Sequence, residues 1–590
     1  MKKKFQKYKW ALIAVFILGY YSAQAQRDTI LRQEVEVVKP FSPVVMDARK
    51  INEIPVIKDV EHKKPNFEYR IFSQPVFSTF SVTNLQAATI IGKPKEELGL
   101  GFLRLGAGNY NKPYGEFYFN NKNIKNSIFG LHLKHLSSHS NLKLESGDKV
   151  KAPYSNNEAE MFIKHMFRRS TLSFNVDFNH DGFNYYGYPG EYPMHDSLEI
   201  YAPYKGDRQT FTKGGINIGL QNLAAGKHDP STGFDFRYHH FGNKTGQREH
   251  FGTFTMNFKR PTDGFTFLID AGAEYSQATK LFIDTTNTNA TRSQTWIFGK
   301  PAIYIGNETI NLKAGVNAWM VFDNQNKTNF RFTPNVRFNF DPVKELINVF
   351  AGVDGNNYHN YYSAIAYNNP FVDPEISVKN HFEKFRFFGG FDGKFSSRTN
   401  FKIQVDHSTF VGHPFFVMDK TTILTTPEPF SSSMKQIPMI NNVFDVVYDD
   451  MKKLKFNGEV THIIGEKFNM LIGASVYKYT LSNEPEAWHM PSFDATLALS
   501  YQATDRLRVA TDIYAIGKRN ALIREKTAGF PDEITPLDMV IDINARGIYD
   551  ITGKLSAFAQ LNNFGFQKYE RWLGYPVQSF NFLGGISLSF

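Results

Sequence analysis

The sequence contains no cysteine and hardly any long apolar run. Among 590 residues there is no Cys, which excludes disulfides, thiolate metal sites and cysteine nucleophiles, so that any metal site would have to use His and carboxylates. A helical membrane protein needs repeated apolar runs of about 20 residues. Only the stretch between Trp10 and Tyr21 approaches that length. The composition therefore excludes a bundle of membrane-spanning helices.

The N-terminus has the layout of a signal peptide. Five lysines precede an apolar core from about residue 11 to 19, and the small residues Ala23 and Ala25 follow it. This order predicts that residues 1–25 are removed after Ala25. A retained anchor is the alternative, although the apolar stretch is shorter than a bilayer requires. Removal of the five lysines lowers the net charge from +10 to +5, which gives nucleic-acid binding little support.

Most of the chain after residue 98 alternates between apolar and polar residues, as a strand with two different faces does. In 310–322, for example, Ile310 and Leu312 alternate with Asn311 and Lys313. Such runs cover about 9 to 13 residues, which suits strands that cross a bilayer better than the shorter strands of a sandwich. The predicted fold class is all-β, an antiparallel transmembrane β-barrel in the outer membrane of a Gram-negative bacterium. Tyrosines near the strand ends are predicted to form its interfacial girdles: Tyr110, Tyr114, Tyr185, Tyr186 and Tyr188.

The predicted barrel has about 22 strands. A coarse pass along residues 98–590 finds between about 20 and 23 candidates, and bacterial single-chain barrels have even strand numbers. The stretch 412–450 is the least regular, because it places a long loop on the side that should carry short turns. Three other long loops are predicted to face the cell surface: 182–206, 481–492 and 517–535.

The last strand carries a predicted barrel-insertion signal. Apolar residues occupy alternate positions up to a terminal aromatic residue: Phe580, Phe582, Ile586, Leu588 and Phe590. This segment resembles the final strand of the family of outer-membrane barrels. The resemblance implies that the barrel-assembly machinery recognises it during insertion into outer-membrane lipids.

No catalytic constellation is recognisable in the sequence. The 17 His include no His-Glu-x-x-His spacing, and no Gly-x-Ser-x-Gly elbow occurs. His239 and His240 are adjacent in a strand, so their rings face opposite sides and cannot chelate one ion together. A loop could hold a metal or a sugar through His180, Asp181, His195 and Asp196, but a polar aromatic surface loop at the membrane rim is the favoured interpretation. The chain is predicted not to be an enzyme and to hold no cofactor or metal.

The C-terminal part of the barrel resembles the end of a TonB-dependent receptor. Members of that family carry a periplasmic TonB box and a plug domain ahead of a wide barrel, and they take up solutes at the expense of energy delivered by TonB. The resemblance covers about the last 150 residues well, whereas the remaining barrel resembles the family only in its general character. It is carried by these segments: 447–450, 487–488, 516–519, 561–569 and 574–576.

Residues 26–97 are about half the length of such a plug and are rich in proline. They are predicted to form a periplasmic segment ahead of the barrel at 98–590, either as a reduced plug or as a docking arm. A short β-prone stretch near its start could pair as an added strand with TonB or another periplasmic partner, or it could pair within this protein. This TonB-box-like stretch consists of Glu34, Val35, Glu36, Val37 and Val38.

Two functional interpretations follow. The first is a TonB-dependent receptor-like, porin-like protein that takes up or passes a solute across the outer membrane. The second is a non-transporting structural or assembly subunit of an outer-membrane protein complex, which would contact other outer-membrane proteins through its surface loops. The short segment ahead of the barrel favours the second interpretation, whereas the barrel resemblance and the box-like stretch favour the first.

Overall fold

The described part of the chain is almost entirely β-strand. Among the described residues there is one helix, α1, which spans Tyr362–Asn368. Among them, no helix is long and apolar enough to cross a bilayer. A computed structural model describes residues 56–57, 97–98, 100–121, 125–188, 206–222, 224, 226, 228–281, 290–324, 327–343, 346–425 and 435–590.

Twenty-two antiparallel strands close into one barrel. Each strand pairs with the next one along the chain, and the last strand pairs with the first, from Phe102 opposite Ser589 to Gly108 opposite Leu583. The predicted all-β fold and the strand number are confirmed. The strands are β1 (Gly101–Gly108), β2 (Lys112–Asn120), β3 (Ser127–Ser138), β4 (Tyr154–Met166), β5 (Ser170–Asn184), β6 (Arg208–Asn222), β7 (Ser231–Asn243), β8 (Arg248–Pro261), β9 (Thr266–Leu281), β10 (Ala290–Gly306), β11 (Ile310–Asp323), β12 (Lys327–Val343), β13 (Ile347–Tyr358), β14 (His381–Ser396), β15 (Thr399–Thr425), β16 (Lys435–Ile464), β17 (Phe468–Leu481), β18 (Phe493–Gln502), β19 (Leu507–Ile516), β20 (Val540–Asp550), β21 (Leu555–Asn562) and β22 (Asn581–Ser589).

The two ends of the barrel differ in the length of their connections. The end that holds the C-terminus has short turns, such as 167–169 and 397–398, whereas the opposite end carries connections such as 359–380 and 517–539. Outer-membrane barrels have short periplasmic turns and longer external loops, so the long-connection end is the outer one. The expectation that 412–450 places a long loop on the short-turn side is wrong, because β15 and β16 continue through most of this stretch at the outer end.

Outward positions along the strands carry large apolar side chains that remain exposed. Contiguous exposed apolar surface on this scale requires an apolar neighbour, and around a closed barrel that neighbour is lipid hydrocarbon. The alternation recognised in the sequence thus separates a lipid face from a lumen face. Outward side chains that are at least 40% exposed include Leu133, Phe178, Phe254, Ile297, Phe332, Phe387, Phe456, Ile472 and Ile586.

Several connections at the outer end contain strands of their own. Among the described residues, three short hairpins occur there: Asn141–Lys143 with Lys149–Lys151, Arg519–Glu525 with Glu533–Leu537, and Glu570–Trp572 with Tyr575–Pro576. Ahead of the barrel, Val56–Ile57 pairs with Glu97–Leu98.

Candidate functional site: the outer end of the barrel

The long strands β15 and β16 rise beyond their neighbours and build a second sheet. β14 pairs with β15 only as far as Val411, and β17 pairs with β16 only from Met451. Beyond these points, Met418 to Lys420 pair in parallel with Ile523 to Glu525 of the adjoining hairpin. We call the resulting four-stranded unit the cap sheet; its strands are 435–449, 413–425, Arg519–Glu525 and Glu533–Leu537.

Both faces of the cap sheet are buried. Met418 and Ile523, each 0% exposed, point to the larger of two apolar clusters. Their neighbours Val417 and Leu522 point the other way and pack with Trp488, which is 1% exposed. Successive side chains of a strand lie on opposite faces, so a sheet covered on both sides needs consecutive apolar residues. The cap sheet is therefore the middle layer of a small domain at the outer end.

The connection 359–380, which we call the strap, crosses the mouth of the barrel. Tyr362 of α1 lies in the same apolar cluster as Phe211 and Phe241, from the rims of β6 and β7. Farther along the strap, the carbonyl oxygen of Phe371 accepts a 2.9 Å hydrogen bond from the backbone N–H of Phe444 in the cap sheet. Strands β6–β7 and β15–β16 lie on nearly opposite sides of a 22-strand barrel, so this core bridges the mouth.

Polar side chains of the wall also hold the strap. The buried carboxylate of Glu249 accepts hydrogen bonds from the backbone N–H groups of Tyr362 and Ser363, at 2.6 Å and 3.0 Å. Arg292 donates to the carbonyl of Val378 and also pairs with Asp323. The two hydrogen bonds to Glu249 satisfy the first turn of α1, whose N–H groups have no partner within the helix. The strap is thus held both by apolar packing and by hydrogen bonds to charged side chains of the wall.

His489 lies at the centre of the cap. Its Nδ1 atom lies 3.2 Å from the carbonyl oxygen of Phe416, and its Nε2 atom is 3.4 Å from the backbone N–H of Leu573. Burial, with a further contribution from Arg519, lowers the pKa of His489 to about 3. The ring is therefore neutral at physiological pH. In that state it donates through Nδ1 and accepts through Nε2, which joins two loops to the cap sheet.

Glu570 and Arg519 form a second buried polar centre. The Arg519 guanidinium donates to the carbonyls of Arg571 and Glu570, at 2.8 Å each. The Glu570 carboxylate accepts a 2.7 Å hydrogen bond from the N–H of Gly574. Burial raises the pKa of Glu570 to about 7, so this group changes its charge near neutral pH. The hairpin Glu570–Pro576 is consequently attached to the cap through a titratable contact.

The inner wall below the cap is polar and charged. Oppositely charged side chains pair across neighbouring strands, and several cations lie over phenyl rings of the wall, as Arg331 does over Phe382 at 4.8 Å. Such a wall suits contact with water or a polar solute and does not resemble an apolar core. The pairs include Arg104 with Glu116, Lys134 with Glu158, Arg386 with Asp354 and Arg546 with Asp512.

The residues of the predicted insertion signal lie on the lipid side of the last strand. Phe582, Ile586 and Leu588 are 38%, 53% and 43% exposed, and the terminal Phe590 is 39% exposed. The ring of Phe580 stacks on Phe566 at the outer rim, at 5.0 Å. Their role in insertion stays a prediction. Ala23, Ala25 and the stretch from Glu34 to Val38 lie outside the described residues.

The predicted tyrosine girdle is largely wrong. Tyr114 is 3% exposed, faces the lumen and donates to Glu116, while Tyr185 and Tyr188 are 1% and 8% exposed. The loops at this rim fold inward over the mouth, so their rings enter the cap, away from the membrane interface. Residues 189–205, the remainder of the loop predicted to face the cell surface, lie outside the described residues. The exposed outward tyrosines near strand ends include Tyr238, Tyr275, Tyr501 and Tyr549.

Of the loop weighed as a metal or sugar site, the structure describes His180 and Asp181, which face opposite sides of the wall, whereas His195 and Asp196 lie outside the described residues. His180 points outward and lies 2.8 Å from the hydroxyl of Thr212, whereas Asp181 points inward and accepts from Asn156. In the described part of the chain, no three His, Asp or Glu residues are placed to hold a metal ion. The opposite orientation predicted for His239 and His240 agrees with the ladder, because His239 stacks on Phe251 and His240 meets His250.

The sequence interpretation missed the cap, although one signal for it was available. Phe415 to Met418 are four consecutive apolar residues, and Val443 and Phe444 are a further consecutive apolar pair. A barrel strand with a polar lumen face cannot carry such a run, which indicates a strand that is buried on both sides. The pattern thus marks where β15 and β16 leave the membrane wall.

No protein-family model and no curated protein matches this chain. Solved structures do match it, at low identity. The structure of the FpvAI–pyocin S2 complex is 13% identical, with 85% of this chain and 74% of that chain covered and a TM-score of 0.61. The ferripyoverdine receptor of the outer membrane of Pseudomonas aeruginosa is also 13% identical, with 85% of this chain and 72% of that chain covered and a TM-score of 0.60.

A third match is the ferric-catecholate import receptor Fiu from E. coli K12 in its closed form. Its identity is 11%, with 84% of this chain and 82% of that chain covered and a TM-score of 0.57. These matches are receptors, which agrees with the prediction that the chain is not an enzyme. At such identities the likeness concerns the fold. The chain folds as a closed barrel of the TonB-dependent receptor type.

Proposed function

We propose that this protein takes up or passes a solute across the outer membrane through a gated barrel. One observation carries the proposal: a wide barrel with a charged inner wall has its outer mouth bridged by the cap sheet and the strap. Twenty-two strands enclose more space than their own side chains fill. A charged wall below a closable mouth suits a path for a polar solute. The similarity to an import receptor and a ferripyoverdine receptor supports this choice.

Passage through the outer end requires the two hairpins of the cap sheet to separate from each other and from the strap. In the proposal, TonB supplies the energy by pairing with the Glu34 to Val38 stretch as an added strand. Residues 26–97 then serve as a reduced plug or as a coupling arm. The mature protein would reside in the outer membrane after the signal peptide has been removed.

A second candidate function is a non-transporting structural or assembly subunit of an outer-membrane complex. The continuous apolar core of the cap favours it, because Phe241, Met418 and Phe444 are all 0% exposed. Separating such a core exposes several large side chains, each of which contributes about 1.5–3 kcal/mol when buried. A cap of this kind could stay closed permanently and present a fixed surface to partners.

Single-channel conductance in a planar bilayer tests the proposal. The full chain, a chain without residues 26–97 and the variant Phe444→Asp would be compared, with Ile534→Asp as a control because Ile534 is 50% exposed. We expect a silent full chain and large, stable steps when either closure is disturbed. If no form conducts, including a truncated chain that carries Phe444→Asp, the transport proposal is wrong and the structural role remains.

A further inference from the structure

The lipid face of β6 to β9 changes character near its outer end. Tyr238 and Tyr275, which are 36% and 45% exposed, stand where the apolar side chains of this face stop. The next outward positions toward the outer rim hold His240, His250 and Arg248. Aromatic residues with a polar tip mark the boundary between hydrocarbon and headgroups, so the His and Arg side chains lie at headgroup level.

The two histidines form one cross-strand unit. His240 and His250 are direct partners in the β7–β8 ladder, and their ring centroids are 4.6 Å apart. The Tyr238 hydroxyl lies 2.7 Å from Nδ1 of His250, which orients that ring. Gln277 is the partner of His250 on the following strand. Three strands thus present imidazole and amide groups side by side on the lipid side of the barrel.

Two glycines keep the surface around this unit open. Gly214 is the ladder partner of His240, and Gly252 is the partner of Tyr238. A Cβ atom placed on either glycine would meet no atom within 4 Å. A shallow recess, with the imidazole rings at its floor, therefore remains accessible from the membrane side.

The charge of this face has one sign. The outward positions of β6 to β9 include no Asp or Glu, and two arginines, Arg208 and Arg248, stand at their outer ends. An anion on this surface would meet arginine and imidazole without a competing carboxylate. The acidic residues of the same strands occupy lumen-facing positions: Asp235, Glu249, Asp270 and Glu274.

We propose that this surface binds the phosphorylated headgroup of an outer-leaflet lipid. Arg248 supplies the charge and a fork of donors that matches phosphate oxygens, and the two imidazoles add hydrogen bonds at the floor of the recess. Below them, Phe236 and Phe254 are ladder partners that are 44% and 46% exposed, in position to pack against the acyl chains. Inorganic phosphate shares the headgroup chemistry but lacks these chains. The site does not depend on transport through the barrel.

Native mass spectrometry of the full chain, titrated with bisphosphorylated lipid A, tests this site. The double variant Arg248→Gln with His250→Gln should bind the lipid about tenfold more weakly, because hydrogen bonds to a charged group are lost. The control is Lys478→Gln, since Lys478 is an exposed cation on the lipid side of β17, and it should bind as the wild type does. Lipid A without phosphates should bind the wild type no better than phosphorylated lipid A binds the double variant.

Unchanged binding in the double variant, or equal binding of the dephosphorylated lipid, would overturn the proposal. An equal loss in the Lys478 control would reduce the effect to general surface charge and would overturn it as well. Displacement of the lipid by millimolar inorganic phosphate would replace the lipid with a free anion as the ligand. Folding is checked by the faster migration of unheated barrel on a gel, and Arg248→Lys, which keeps the charge without the fork, should lose part of the affinity if the double variant does not fold.

Discussion

At the scale of single residues, a few buried polar groups hold the outer end closed. Glu249 connects the barrel wall to the first turn of α1, and His489 joins two loops to the cap sheet. Each sits among apolar side chains, where a polar group without a partner costs free energy. These residues therefore affect the cap more than their number suggests.

Glu249→Gln should loosen the strap. An amide offers one acceptor oxygen, so one of the N–H groups of Tyr362 and Ser363 would lose its partner, at a cost of about 1–3 kcal/mol. We expect amide hydrogen exchange in Tyr362–Asn368 to become about tenfold faster or more. Glu375→Gln, a change at an exposed residue of the same strap, is the control. Unchanged exchange in the Glu249 variant would show that apolar packing alone holds the strap.

Glu570 should make the stability of the cap depend on pH. Because burial raises its pKa from 4.5 to about 7, the folded cap favours the protonated form. The contribution is complete below about pH 4.5 and is lost as the pH rises through about 7. The free energy of cap unfolding, measured by urea denaturation in a chain that keeps Trp572 as its only tryptophan, should therefore fall between about pH 5 and 8 by at most about 3 kcal/mol more in the wild type than in Glu570→Gln. Parallel curves for the two proteins would contradict the assignment.

At the scale of elements, the barrel and the cap sheet are stabilised in different ways. The barrel is a continuous ladder of backbone hydrogen bonds between neighbouring strands, with lipid covering its outward face. The cap sheet stands outside the bilayer and has apolar packing on both faces. Damage to the cap core should consequently leave the barrel closed and folded.

Phe444→Ala should destabilise the cap without unfolding the barrel. Phe444 is 0% exposed, and removal of a buried Phe side chain typically costs about 3–5 kcal/mol. Added protease is expected to cut the cap in this variant, while the unheated barrel keeps its faster migration on a gel. Ile534→Ala, at a position that is 50% exposed on the adjoining strand, should remain resistant. Loss of the migration shift in Phe444→Ala would mean that cap and barrel fold as one unit.

At the scale of the whole molecule, passage of a solute depends on whether the cap opens. The chain has no cysteine, so an introduced pair would form one defined crosslink. Asp419 and Arg524 are direct partners in the parallel ladder between the two hairpins of the cap sheet. Directly opposed residues in neighbouring strands lie within the distance that a disulfide requires.

The conductance of the double variant Asp419→Cys with Arg524→Cys should depend on whether its disulfide is reduced. In a chain that lacks residues 26–97, the oxidised form should stay silent in a planar bilayer and the reduced form should conduct, because only the reduced hairpins can separate. A chain with Cys at 419 alone is the control. Conduction by the oxidised form would show that the cap opens elsewhere, for instance between the strap and the wall.

The strand pattern of the barrel was predictable because each wall strand faces two different surroundings. The alternation from Ile310 to Phe322 reappears as β11, and the last strand from Phe582 to Leu588 places its apolar residues toward lipid. The site at the outer end was harder to predict from the sequence. Tyr185 and Trp488 belong to loops whose sequence does not specify whether they fold over the mouth or away from it.

The all-β class, the barrel and its approximate strand number are encoded locally, since they follow from short-range alternation and from the length needed to cross a bilayer. The three-dimensional arrangement alone places the cap over the outer mouth, His240 against His250 and Glu249 at the start of α1. Those contacts join residues far apart in the chain, and their pairing depends on the ladder register and on the packing of the loops, which no local pattern encodes.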